Sequence, residues 1–381
     1  MREKQYLMIP GPTPIPPAVT AAMTRPVIGH RSEEFARLHQ EIEEKIKKVF
    51  QTGNDVFILT NSGTGGLETA IANTVSPGDR VLALITGNFG ERFAAIAKAY
   101  GAAVEEINFG WGKAVDLAVV ADRLAGGADY KVVLATQNET STGVLNDIAG
   151  IGALVAKTNA LLLVDGVSGV GGAEIKTDEW NVDILVTASQ KALMLPPGLA
   201  MVSVSEKAWG VIEKNPSPRF YFSLPAAKKS FAKWNTAYTP NVTLFMGLNA
   251  ALDLMLAEGL ENVYARHLLL ARAARAAMKA LGLRLLAEES YASPTVTAVY
   301  APGGTGADEL RKILKNEYGV TFAGGQGILK GKIFRIAHMG FAGKLDILIA
   351  VGALEMALAK AGCPVELGAG VRKAQETFLE K

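Results

Sequence analysis

The sequence has one cysteine, Cys363, in 381 residues. A lone thiol cannot close an internal disulfide, build a thiolate zinc cage or hold an iron–sulfur cluster, and it fits a reducing cytoplasm. Net charge is equally scarce, since 39 Lys and Arg against 37 Asp and Glu leave +2. With no global field to hold nucleic acid or an anionic membrane surface, any bound anion must be caught locally. The four histidines, His30, His39, His267 and His338, contain no His-x-x-x-His pair, so no metal-ligand set is expected. Apolar runs stay well short of the roughly 18 residues that span a bilayer. The longest, Ala149 to Ala156, stops at Lys157 and reads as a buried helix face. Pro10, Pro12, Pro14 and Pro16 arrive before any apolar leader develops, so no signal peptide is expected. A P-loop is missing, Gly166-Val167-Ser168-Gly169 lacks the second glycine of a nucleophile elbow, and Gly169 to Gly172 lacks the dinucleotide-binding order.

What is present is a chain that is 49% hydrophobic with 40 glycines, long enough for about two domains at roughly 150 residues each. Its middle alternates short apolar runs with helical stretches, the pattern of a parallel sheet covered on both faces. Strands are predicted at Val56 to Leu59, Val81 to Ile85, Ala103 to Asn108, Val132 to Thr136, Leu161 to Asp165, Asp183 to Thr187 and Leu199 to Val204. Helices are predicted over Glu91 to Tyr100 and Asp116 to Leu124, each followed by a glycine stop. From Leu244 a long Ala/Leu/Arg-rich stretch runs to Leu281, with Gly259 as a break, and a strand, a helix, two strands and a helix follow. The expected organisation is an N-terminal arm over 1–20, a large domain over 21–255 and a small α+β domain over 256–381.

Three segments carry candidate chemistry. Asn61-Ser62-Gly63-Thr64-Gly65-Gly66-Leu67-Glu68 lies between a predicted strand and a predicted helix. There, glycines let backbone N–H groups approach an anion and the helix start adds its positive end, so the segment reads as a phosphate cup or, more plainly, as a strand-to-helix turn. Leu161-Leu162-Leu163-Val164-Asp165 ends a buried strand in a carboxylate at the sheet edge where doubly wound folds bind ligands. Such an acid needs a cation or several donors, and a protonated pyridine nitrogen would serve; capping of the next turn is the simpler role. Val186-Thr187-Ala188-Ser189-Gln190-Lys191 delivers a lysine into small and apolar surroundings, where desolvation frees the amine to attack an aldehyde.

The run from Asp165 to Lys191, with Ser-Gln-Lys-Ala and Pro-Pro-Gly, resembles the class V aminotransferases. So do Pro10-Gly11-Pro12-Thr13, Glu139-Thr140-Ser141-Thr142-Gly143-Val144-Leu145 and Phe334-Arg335-Ile336, and the similarity runs from about Tyr6 to about Cys363. It is strongest to the alanine–glyoxylate and serine–pyruvate group. The resemblance implies an α/β chain of the type I pyridoxal-phosphate-dependent transferase fold, with a mainly parallel central sheet in the large domain and a smaller C-terminal α+β domain. It implies that Lys191 carries pyridoxal 5'-phosphate and moves the substrate proton, and that Asp165 keeps the pyridine nitrogen protonated. Phe89 would stack on the ring and Thr140 would contact its phenolic oxygen. Thr64, Gly65, Gly66 and Gln190 would bind the phosphate, and Thr239 would do so from a second subunit. Arg335 would grip the substrate carboxylate beneath an arm containing Gly11. Two positions depart from the pattern: Gly66 stands where relatives often carry histidine, and Thr236 where they place a tyrosine.

The function implied is ping-pong transfer of an amino group from alanine or serine to glyoxylate or pyruvate, in a cytoplasmic homodimer with sites at its interface. Alternatives are aminoethylphosphonate or ureidoglycine as donor, or a non-catalytic role, since some family members carry the label of a soluble hydrogenase small subunit. A cysteine desulfurase is disfavoured because Gln190, not histidine, precedes Lys191.

Overall fold

The computed structural model describes residues 4–380. Its strands are β1 (Tyr6–Met8), β2 (Val56–Leu59), β3 (Arg80–Ile85), β4 (Ala103–Asn108), β5 (Val132–Thr136), β6 (Asn138–Glu139), β7 (Val144–Leu145), β8 (Leu161–Asp165), β9 (Ile184–Ala188), β10 (Ala200–Val204), β11 (Val296–Tyr300), β12 (Val320–Gly324) and β13 (Ile333–Ala337). Seven of them form one sheet in the order β2-β10-β9-β8-β5-β3-β4. Strands β4, β3, β5, β8 and β9 pair in parallel, whereas β10 is antiparallel to both its neighbours. Every residue of β5, β8, β9 and β10 is buried, as a sheet covered on both faces requires, which is why these strands are continuous apolar runs.

Two apolar clusters fill the layers on either face. One includes Phe35, Ile42, Phe245 and Leu248 from helices Glu33–Phe50 and Val242–Glu258. The other includes Leu67, Ile71, Phe93 and Trp209 from helices Gly63–Thr74, Asn88–Ala99 and Glu206–Ile212. Beyond Gly259, whose φ of 84° needs a glycine, the chain turns by 86° into helix Leu260–Ala280. That helix, with Ala307–Tyr318 and Lys344–Lys360, packs on a second sheet of order β1-β12-β13-β11. No single helix among the described residues is long and apolar enough to cross a membrane.

Three features differ from the sequence expectation. The segment read as an extended arm contains β1, which pairs in parallel with β12 through Tyr6↔Val320 to Met8↔Phe322, a partner too distant in sequence for local patterning to reveal. A helix at Pro17–Met23 follows it. The helix expected from Glu91 begins at Asn88 because its first N–H groups are held by a distant carboxylate, that of Glu139.

Candidate active site

Strands β8 and β9 are parallel neighbours, so their carboxyl ends lie side by side. Asp165 is the last residue of β8, and Lys191 follows β9 by three residues in a turned segment. Asp165 is buried, and its Oδ1 accepts the N–H of Val167 at 2.9 Å. Burial pushes its carboxyl up to about 7; the Val167 N–H, Lys191 and Arg92 pull it down, and Glu139 adds to the rise. Burial brings the Lys191 ammonium down to about 8 against the pull of Asp165, with Arg335 and Arg92 adding to the fall. The pair therefore holds an amine that sheds its proton readily beside an acid that lacks a full complement of donors.

The Pro10–Thr13 segment forms a roof over this lysine. Lys191 Nζ donates to the carbonyl of Pro10 at 2.5 Å, and Thr13 Oγ1 donates to the carbonyl of Lys191 at 2.9 Å. Gly11 has a φ of 136°, and a Cβ there would lie 2.9 Å from Lys191 Cδ and 3.0 Å from Nζ, so a side chain would displace the amine. Across a cavity of about 340 Å³ from this roof stands Arg335, near Phe89 and Thr140. Arg335 is buried on β13; its Nε donates to the carbonyl of Gly324 at 2.9 Å and its Nη1 to that of Thr140 at 2.8 Å. Burial lowers its guanidinium to about 10, with Glu139 opposing the fall, so it stays charged in neutral water. Thr140 Oγ1 shares a 2.6 Å hydrogen bond with Ser168, which donates to the carbonyl of Asn138 at 2.8 Å.

The glycine segment forms the expected helix start. Ser62 caps helix Gly63–Thr74 by accepting the Gly65 N–H at 3.3 Å. Both side-chain polar atoms of Asn61 and the Oε1 of Gln190 are buried without a partner. Gly66 lies beneath this surface: its N–H bonds to the carbonyl of Ser62 at 3.0 Å, and a Cβ on it would meet Val186 Cγ1 at 2.7 Å. Sheet packing thus demands glycine at 66, and a histidine would not fit in this backbone. Thr64 Oγ1 accepts from Arg92 Nη1 at 3.4 Å, and the same guanidinium sits 4.8 Å from the centroid of the Phe89 ring.

The site residues do not all converge within one chain. Thr239 is exposed and lines a separate cavity with Asn61, Tyr221 and Tyr238, while Thr236 Oγ1 is spent on the carbonyl of Tyr238 at 2.7 Å. Three contributors escaped sequence reasoning: Arg92, Ser168 and the carboxylate of Glu139. Arg92 lies three residues beyond Phe89 on one helix, a spacing that puts the two side chains on the same face and could have flagged it.

The model of the family "Aminotransferase class-V" matches residues 5–337. The chain belongs to that family. It is accordingly an aminotransferase of the type I fold that works with pyridoxal phosphate. The L-aspartate–glyoxylate aminotransferase of Paracoccus denitrificans is 42% identical over 100% of this chain and 98% of its own. The serine–glyoxylate aminotransferase of Hyphomicrobium methylovorum is 41% identical over 98% and 94%. Among solved structures, the ureidoglycine–glyoxylate aminotransferase of Bacillus subtilis superposes with a TM-score of 0.95 at 31% identity, covering 100% of this chain and 99% of that one.

Proposed function

We propose that this aminotransferase moves an amino group from a small amino acid, alanine or serine, to glyoxylate or pyruvate, with donor and acceptor using one site in turn. The observation that carries the reading is a half-buried amine, Lys191, and a buried guanidinium, Arg335, lining one cavity, with the buried acid Asp165 close enough behind the amine to act on its charge. The comparisons favour glyoxylate as acceptor, because two relatives of nearly equal identity, 42% and 41%, share it while differing in donor.

The residues present fit the cofactor. The unpartnered donor Nδ2 of Asn61 and the start of helix Gly63–Thr74 suit a phosphate, and an acid short of donors suits a protonated ring nitrogen. Thr64, Gly65 and Gln190 would hold the phosphate, whereas Gly66, its N–H spent on Ser62, would only let the helix start sit close on the sheet; Phe89 would lie against the ring, and Thr140 would meet its phenolic oxygen. When bound, pyridoxal phosphate supplies an aldehyde that accepts the amino group and a ring that takes up electrons. Lys191 Nζ, brought down to about 8, takes the proton from the donor α-carbon and returns it in the reverse sense. Asp165 keeps its charge only against a cation, so it favours the protonated ring. Arg335 clamps the α-carboxylate common to donor and acceptor, which is how one site serves both. The Pro10–Thr13 roof covers one side of the amine.

The reading takes the enzyme as a cytoplasmic homodimer in which Thr239 of one copy serves the phosphate of the other. Tyr221, 48% exposed, lines that threonine's cavity, and Phe220, 80% exposed, packs on Tyr238 of the same cavity; these exposed aromatics support an interface there. Absorbance of the purified protein tests the function. A near-visible cofactor band that vanishes with alanine and returns with glyoxylate is the expected result, and a band indifferent to every small amino acid overturns it.

A further inference from the structure

We propose that Glu139 is a positioning residue for the transamination: its carboxylate clamps the segment bearing Phe89 to the segment bearing Thr140, and so fixes the distance between the aromatic wall and Arg335. The proposal rests on the reading above that these three residues face cofactor and substrate. Glu139 is completely buried, at 0% exposure. Its Oε2 accepts the N–H groups of Phe89 at 3.0 Å and Gly90 at 3.1 Å. Its Oε1 accepts the N–H of Ser141 at 3.0 Å and the Ser141 hydroxyl at 2.6 Å. The same hydroxyl accepts the N–H of Asn88 at 3.0 Å, so the two segments are tied twice.

Those four bonds occupy the acceptor capacity of a carboxylate, and no oxygen is left for a ligand. The acid therefore acts through its neighbours. It sits at the N-terminus of helix Asn88–Ala99, where a negative charge is favoured, and it is anchored by the β6–β7 pairing Glu139↔Val144. The next residue, Thr140, presents its carbonyl to Arg335 Nη1 at 2.8 Å, which extends the chain of contacts to the clamp. Gly87 completes the device. A Cβ there would lie 2.5 Å from Ser141 Oγ and 2.7 Å from Glu139 Cγ, so the segments can close only over a bare α-carbon.

The test uses E139Q and G87A. In E139Q an amide NH₂ faces N–H or O–H donors on one side of the clamp. In G87A the carboxylate is untouched, and the extended φ of 165° is open to alanine, so any effect comes from the added methyl. Two changes are expected in both variants. Amide exchange at residues 88–91 of the cofactor-free protein accelerates by at least about tenfold relative to the other helices, and kcat/KM for the amino donor falls by about tenfold, the scale of one charged hydrogen bond. If either folded variant exchanges uniformly, or exchanges locally with kcat/KM unchanged well below its melting temperature, the positioning role is overturned. S141A, a milder cut in the same clamp, serves if E139Q does not fold. Should the wild-type protein transaminate no donor, the reading of the reaction falls and the positioning role with it, whereas exchange by itself still reports the clamp.

Discussion

Asp165 and Asp183 are the same residue type beside neighbouring strands of one sheet, at opposite edges. Asp183 precedes β9 and is saturated: it accepts the Leu162 N–H at 2.9 Å and the Ser205 hydroxyl at 2.7 Å, with the Lys207 amine 3.6 Å away. On that same side, Asp178 accepts from Thr52, Gly53 and Asn54. Asp165 ends β8 at the other edge, equally buried, with one backbone donor. At the Asp183 edge, then, protein donors hold both aspartates. The other withholds partners from an acid, an amide and a glutamine, and a buried polar group without partners is tolerated where something else will supply them.

Swapping charge for amide at each edge sharpens the contrast most. D165N should lower kcat roughly 200- to 5,000-fold, the equivalent of the 3–5 kcal/mol lost when a buried charge pair is broken from one side. Steady-state kinetics on folded, cofactor-supplied protein would check this, and wild-type turnover by D165N would erase the distinction between the edges. D183N is the mirror case. It should cost about 1–3 kcal/mol of stability for the donors it leaves unpaired, read from denaturant midpoints, and leave kcat and KM where they were.

The third contrast lies in pH dependence, read as a slope rather than as a single loss. Because the folded carboxyl of Asp165 is raised from 3.8 to about 7, the cofactor-free native state holds a proton that the unfolded chain has lost between those values. Stability should therefore fall as pH rises across that window, by up to ~1.4 kcal/mol per unit for this one group. D165N should remove that slope. Urea titrations at several pH values would decide it, and an identical slope in wild type and D165N would show that Asp165 bears no such cost.

Much of the layered sheet was legible because strands buried on both faces must be apolar throughout. β2, β5 and β8 fall on the residues that the sequence pattern marks, and Asp165 stands out as the charge that ends such a run; the edge strand β4, partly exposed and carrying Glu105 and Glu106, also lies where expected but not for that reason. Direction was not legible: Ala200–Val204 is as apolar read forwards as backwards, so the antiparallel course of β10 emerges only from its pairing. Lys191 could be suspected from its small neighbours, but the arginine across the cavity comes from β13, and nothing local in Phe334-Arg335-Ile336 distinguishes a substrate clamp from a salt bridge. Family resemblance, not periodicity, singled it out. Arg92 and Ser168 were missed for a related reason: each acts through a residue already noticed, and contacts between loops leave no periodic trace. Gly66 illustrates the converse, a glycine noticed as part of an anion cup whose small size answers to Val186 and Ala200 beneath it.

Strand β1 is hydrogen-bonded into the sheet that also bears Arg335, and two residues after it the chain passes over Lys191. Ceiling and anchor thus hang from a single frame. Any tilt of that frame against the lysine carries both at once, so that gripping a carboxylate and roofing the amine become one mechanical event.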